Sequence, residues 1–86
     1  MNINDLIAII KKKLQENIVL EELNIEDKSF LHKNHKGNEE NKFHLKLDIN
    51  SSELKKLNKI KSNKIIYKIL EKEIKEYIHS IQILIN

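Results

Sequence analysis

The first residues of the chain show the spacing of apolar positions that is typical of an amphipathic helix. Asn2 can cap this helix, and Asp5 follows three residues later, where a carboxylate complements a helix N-terminus. The pattern predicts a helix that runs to about Gln15 and ends near Asn17. Its apolar stripe consists of Ile3, Leu6, Ile7, Ile10 and Leu14.

Two later segments change to the alternation of strands that have one buried face. The first covers residues 20–27 and the second residues 43–49. Residues 30–41 hold the only glycine, three asparagines and two histidines, which predicts a loop between the strands. The polar phase of the second strand, which we expect to face water, consists of His44, Lys46 and Asp48.

The last third of the chain predicts helices followed by a strand. A cluster typical of a helix start, Asn50, Ser51 and Glu53, precedes a short helical piece, and a longer helix begins near Ser62. The final strand, residues 78–85, carries three isoleucines in one phase. The element order is αββααβ, which predicts an α+β fold with helices packed on one face of a three-stranded mixed sheet.

Composition narrows the class of protein further. A chain of 86 residues has room for one domain, residues 1–86. No apolar run approaches the roughly 20 residues of a membrane span, so we expect a soluble protein without a membrane partner. The absence of cysteine excludes disulfides and thiolate metal sites within the chain, and it favours an intracellular location.

Sequence motifs give no support for catalysis. The chain has no G-x-S-x-G, no Walker A glycines and no G-x-G-x-x-G, so we expect a protein that is not an enzyme. Asp27 and Ser29, at the end of the first strand, are interpreted as a polar pair that closes a turn by hydrogen bonding to backbone amides.

The histidines are the candidates for metal chemistry. His32 and His35 have the H-x-x-H spacing that can bind a metal, although this signal is weak in a loop. His79, in phase with the isoleucines of the last strand, could be either a packed junction residue or a ligand. His44 lies on the polar phase of its strand, and we expect it to be a solvated surface side chain.

A lysine-rich segment is the candidate for binding nucleic acid. Between Glu53 and Glu71 there are six lysines and no acid, a pattern that also suits a solvated helix face. The segment lacks arginine and the G-x-x-G that lets a KH backbone approach phosphates, so we expect only weak binding. The lysines are Lys55, Lys56, Lys59, Lys61, Lys64 and Lys68.

Several short motifs over residues 20–83 together resemble the signature of the BolA family. A strand that ends in D-x-S leads to a loop with histidines, and an aromatic residue, Phe43, begins the next strand. The long helix then carries Y-x-x-L-x-x-E, and the last strand starts with I-H-S-I in place of the family's V/I-H-A-L. The family's R-H-R before the tyrosine is here Ser62-Asn63-Lys64, and the segment from Phe43 to Ser51 is two residues longer than usual.

The resemblance implies a fold related to type II KH domains and a role as partner of a monothiol glutaredoxin in iron–sulfur handling. It implies a shared [2Fe-2S] cluster, with thiolates from the glutaredoxin and glutathione and imidazoles from His32 and His79. His35 is the alternative to His32. We expect the isolated chain to be a monomer that holds no iron–sulfur cluster. The cytosol and the mitochondrial matrix both suit such a protein. Because some family members are transcriptional regulators, nucleic-acid binding is the alternative function.

Overall fold

The structure is a computed structural model that describes residues 1–29 and 42–86. Its elements, in chain order, are α1 (Ile3–Asn17), β1 (Glu22–Asp27), β2 (Phe43–Asn50), α2 (Ser52–Lys55), α3 (Lys59–Ile69), α4 (Glu71–Tyr77) and β3 (Ile78–Ile85). The α+β class is confirmed. None of the helices in these two described stretches is long and apolar enough to cross a bilayer.

The long helix expected near the C-terminus is instead two helices, α3 and α4. They meet at Leu70, whose φ of −100° and ψ of 17° depart from helical values. Helix α3 also begins earlier than expected, because the side chain of Asn58 accepts a hydrogen bond from the amide of Lys61 and caps the helix at Lys59. The expected cap at Asn2 is confirmed, and within the expected helix-start cluster the N-cap is Ser51.

The sheet has the strand order β1-β2-β3 and is mixed, as predicted. Strand β1 pairs with β2 antiparallel, whereas β2 and β3 are parallel, so both of the latter begin at the same end of the sheet. The connection from β2 to β3 contains all three short C-terminal helices, as a parallel pair requires a crossover. The two additional residues between Phe43 and Ser51 belong to β2, which occupies that whole segment.

The core lies between the helices and one face of the sheet. Leucine and isoleucine side chains fill it, each contributing about 1.5–3 kcal/mol through burial. An ion pair closes one side of this core, because Lys13 Nζ of α1 lies 2.8 Å from both carboxylate oxygens of Glu73 in α4. The buried members from α1, β2 and α3 include Leu6, Ile10, Leu14, Leu45, Leu47, Ile49 and Ile66.

Ser51 joins the start of α2 to the chain that follows α1. Its hydroxyl accepts a hydrogen bond from the Leu54 amide at 3.2 Å and donates to the Val19 carbonyl at 2.8 Å. Beside it, the carboxylate of Glu21 accepts bonds from the hydroxyl and the amide of Ser52. These bonds, that from the hydroxyl most, lower the pKa of Glu21.

Candidate functional site

A β-bulge lies where β2 and β3 begin. Phe43 is paired with Ile78, but the next residue of β2, His44, is paired with Ser80, so that His79 and Ser80 together oppose one residue. Phe43 and Leu45 share a face of β2, and their partners Ile78 and Ile81 therefore share the core face of β3. Both residues between those isoleucines are exposed.

The bulge corrects the position that strand alternation predicted for His79. Counting in twos from Ile81 places His79 on the core face, whereas the additional residue moves it to the open face of the sheet, where it is exposed. An exposed imidazole at the end of a strand can reach a ligand or a partner. A packed junction residue could not do so without opening the core.

His44 is not the solvated surface residue that its phase predicted. Its side chain is on the open face of the sheet, yet the residue is only 4% exposed. Its Nδ1 forms a hydrogen bond of 2.7 Å with Ser80 Oγ. The His44 ring also lies against that of His79, with ring centroids 4.9 Å apart and planes inclined by 57°. We call His44, His79 and Ser80 the histidine cluster.

The Asp27–Ser29 turn holds the backbone of His44. Asp27 Oδ1 accepts a hydrogen bond of 2.9 Å from the Ser29 amide, which confirms the predicted turn. Ser29 Oγ accepts a bond of 3.1 Å from the His44 amide, and the Lys28 amide donates to the His44 carbonyl at 2.7 Å. His44 is therefore held through its backbone amide, its backbone carbonyl and its ring.

The predicted loop ligands His32 and His35 lie outside the described residues. Ser29, the last described residue before the loop, is hydrogen bonded to His44, and Lys42, the first one after it, is two residues from His44 in sequence. Both ends of the loop are therefore near the histidine cluster. Among the residues that the structure does describe, no group of three or more histidine, aspartate or glutamate side chains could hold a metal ion. The histidine cluster can therefore supply an imidazole ligand, but the described residues alone do not form a complete metal site.

Charged groups of both signs lie near the histidine cluster. An open cleft of about 310 Å³ runs along His44 and Ser80, and its lining includes Lys28 and Lys46. Lys28 forms an ion pair of 2.8 Å with Glu26. The hydrogen bond and charge of Lys28 lower the pKa of Glu26, and Lys46 adds to this effect. The carboxylate of Glu26 therefore offsets the positive charge of Lys28.

The lysine-rich segment, which lies within residues 52–68, differs from the histidine cluster in the exposure of its charged side chains. All six predicted lysines are exposed, and within residues 1–29 and 42–86 none of them belongs to an ion pair. Ile60 is 70% exposed at the start of α3. A groove of about 300 Å³ separates this segment from β3, with Lys55 and Lys59 among the polar lining residues and Leu54, Leu57, Ile83, Leu84 and Ile85 among the apolar ones.

The segment Ser62-Asn63-Lys64, where the resemblance implies R-H-R, presents little charge at the surface. Ser62 is buried and its hydroxyl donates to the Lys59 carbonyl at 3.1 Å. The side-chain amide of Asn63 donates to the same carbonyl at 2.7 Å. Of the three positions, only Lys64 presents a charge to solvent.

The comparisons with known proteins agree with this arrangement. A family model described as "BolA-like protein" matches residues 14–86, which is most of the chain. The chain belongs to the BolA-like family. None of the curated proteins matches it significantly.

Solved BolA structures share the fold. The BolA domain of SufE1 from Arabidopsis thaliana is 29% identical with a TM-score of 0.76, and the match covers 92% of this chain and 87% of that one. BolA1 from the same plant is 26% identical with a TM-score of 0.77, covering 93% and 88%. BolA1 from Mus musculus, at 19% identity, has a TM-score of 0.74 and coverage of 92% and 62%. The BolA-like domain thus spans nearly the whole chain.

Sequence reasoning missed His44 as a member of the site, although a signal was present. Ile81, Ile83 and Ile85 are two residues apart, whereas Ile78 is three residues before Ile81. Four isoleucines can face one core only if an additional residue lies between the first two. This change of phase predicts a bulge at His79 and Ser80, and with it a different neighbour for His44.

Proposed function

We propose that this BolA-like protein is a non-catalytic interaction module that partners a monothiol glutaredoxin and co-ligates a bridging [2Fe-2S] cluster. His79 would supply one imidazole, and His32, or His35 in its place, the second. The glutaredoxin and glutathione would supply the thiolates. The proposed use is cluster trafficking or iron regulation.

The observation that carries this proposal is the exposed ring of His79, which the bulge places on the open face of the sheet beside a ring that is held firmly. The histidines of this chain fit a [2Fe-2S] cluster as some of its ligands and not as all of them. The chain has no cysteine, so thiolates must come from outside. Histidine can replace cysteine on one iron, and the replacement raises the reduction potential.

The flanks of the histidine-bearing loop give further support. Ser29 accepts a hydrogen bond from the amide of His44, and the ring of His44 contacts His79. The residue before the loop, Ser29, is therefore linked to the proposed ligand His79 through one intervening residue, His44. Lys46 of the neighbouring cleft would also favour the negative charge of an iron–sulfur cluster with thiolate ligands.

The direct experiment is reconstitution of the chain with a monothiol glutaredoxin, glutathione, iron and sulfide, followed by size exclusion and visible circular dichroism. We expect a heterocomplex whose spectrum differs from that of the glutaredoxin homodimer. His79→Ala should restore the homodimer spectrum. Gln15→Ala, at an exposed position of α1 on the helical side of the sheet, is the control and should change nothing. A heterocomplex spectrum unaltered by His79→Ala would contradict the proposal.

Nucleic-acid binding is the second candidate, supported by the lysine-lined groove between residues 52–68 and β3. Lysines that contact phosphates would bind with little preference for sequence, because base edges carry the sequence information. A fluorescence titration with unrelated oligonucleotides tests this. Tight binding of one sequence at physiological salt would favour this function over the first.

A further inference from the structure

The site contains a third histidine, His44, for which the proposed function has no role. Its ring is 4% exposed, whereas that of its neighbour His79 is open to solvent. A strand position on the open face does not require an imidazole, since a lysine, Lys46, occupies the next such position. Burying a polar ring there is unfavourable unless its nitrogens are hydrogen bonded.

The contacts of His44 are directed at the bulge. Its Nδ1 is bonded to Ser80, the second residue of the bulge, and its ring packs against His79, the first. One side chain therefore contacts both residues that oppose it. Its own position is set by backbone bonds to Lys28 and Ser29. A group held in this way can fix the orientation of a neighbouring ligand.

We infer that His44 is a positioning residue, which with Ser80 holds the bulge so that the His79 ring is presented in one orientation for ligation. The use of His79 as a ligand rests on the proposed function, whereas the orientation of its ring does not. The Ser80 bond fixes the plane of the His44 ring, and the ring contact transfers that restraint to His79. Loss of either contact should leave His79 present but poorly oriented.

The first test uses the free chain, without a partner. Side-chain couplings and relaxation measured by NMR report whether His79 occupies one rotamer. We expect one rotamer in the wild type and averaging among rotamers in His44→Ala and Ser80→Ala. Ser80→Thr keeps the hydroxyl on a residue that suits a strand, and it should restore the single rotamer. An unchanged His79 rotamer in His44→Ala and Ser80→Ala would overturn the inference.

The second test uses the complex with cluster-loaded glutaredoxin. Removing a residue that orients a metal ligand lowers metal affinity by about 10–100-fold, and we expect about ten-fold weaker complex formation for Ser80→Ala. The visible circular dichroism should also move towards that of the homodimer, whereas the control Gln15→Ala should not change it. A purely structural role for His44 and Ser80 would lower the unfolding midpoint and leave the spectrum of the folded complex unaltered.

The two proposals can fail separately. If His79→Ala leaves the complex and its spectrum unaltered, the cluster role is wrong, and the NMR result on the free chain still decides whether His44 positions His79. If His44→Ala does not fold, Ser80→Ala retains both rings and gives the answer alone. His44→Phe adds a further distinction, because it preserves ring packing without the bond to Ser80.

Discussion

The histidine cluster and the lysine-rich segment offer two different kinds of candidate surface. In the histidine cluster, each side chain contacts another, and both the amide and the carbonyl of His44 are hydrogen bonded. In the segment, six lysines extend into solvent. The first arrangement presents a group in a defined position, whereas the second presents charge without a defined geometry. Fixed contacts, rather than the density of charged residues, therefore distinguish the better candidate site.

The largest expected effect concerns salt at the lysine-rich segment. If all six lysines neutralised phosphates of a single strand, affinity would fall up to about 300-fold between 50 and 200 mM salt. Fluorescence anisotropy with a labelled oligonucleotide at the two concentrations measures this. Affinity that hardly changes with salt would indicate fixed, specific contacts and would remove the contrast between the two regions.

A smaller effect is expected from single substitutions on stability. His44→Ala removes a buried, hydrogen-bonded ring and should destabilise the fold by about 1–3 kcal/mol. Lys61→Ala, on the exposed face of α3, should change the free energy of unfolding by no more than about 0.5 kcal/mol. Urea unfolding of both variants provides the comparison. Equal effects would mean that the cluster is no better fixed than the lysines.

Two matched substitutions distinguish local from transmitted effects. Ser29→Ala and Asn58→Ala each remove one side-chain oxygen that accepts a backbone amide bond, and each should cost about 1 kcal/mol. Amide chemical shifts should then differ between them. Ser29→Ala should alter the signals of His44 and His79, whereas Asn58→Ala should alter only the first turn of α3. Shifts confined to Ser29 and its neighbours would show that the turn does not support the cluster.

The smallest expected effect is the pH dependence from one carboxylate at each region. Bonds from Ser52 lower the pKa of Glu21, and Lys28 lowers the pKa of Glu26. A lowered pKa in the folded state stabilises the fold above the ordinary value of about 4.5, and this contribution is lost as the pH falls through the folded value. Glu21→Gln and Glu26→Gln should each flatten the fall in stability between pH 6 and pH 3.

The interactions that lower the pKa values of Glu21 and Glu26 should differ in their sensitivity to salt. The ion pair of Glu26 with Lys28 is exposed and should weaken as salt screens it. The bonds of Glu21 come from uncharged groups of Ser52 and should be less sensitive. Repeating the pH series at high salt tests this. The same salt dependence for both variants would show that the two shifts have a common origin.

The sequence was sufficient to predict the core face and the class of fold. Alternation in β2 places Leu45, Leu47 and Ile49 in the core, and the caps Asn2 and Ser51 start their helices as expected. Such features depend on neighbours a few residues away. Periodicity therefore detects them within one element.

The remaining features depend on contacts between elements. The contacts of His44 with Ser80 and His79 depend on the register of the partner strand, which no pattern within β2 can reveal. The break at Leu70 interrupts a helical stripe that continues on both sides, so the apolar spacing does not mark it. The predicted ligands His32 and His35 lie outside the described residues, and their part in the site stays a prediction.

The most direct measurement is a titration of the isotope-labelled chain with glutaredoxin that carries a [2Fe-2S] cluster, followed by amide NMR signals. A paramagnetic cluster broadens the signals of nearby residues, so the map locates the contact surface. The account predicts loss of the His44, His79 and Ser80 signals, with Lys59 and Lys61 unaffected. Broadening centred on α3, with the start of β3 unchanged, would contradict the assignment of the functional site to the histidine cluster.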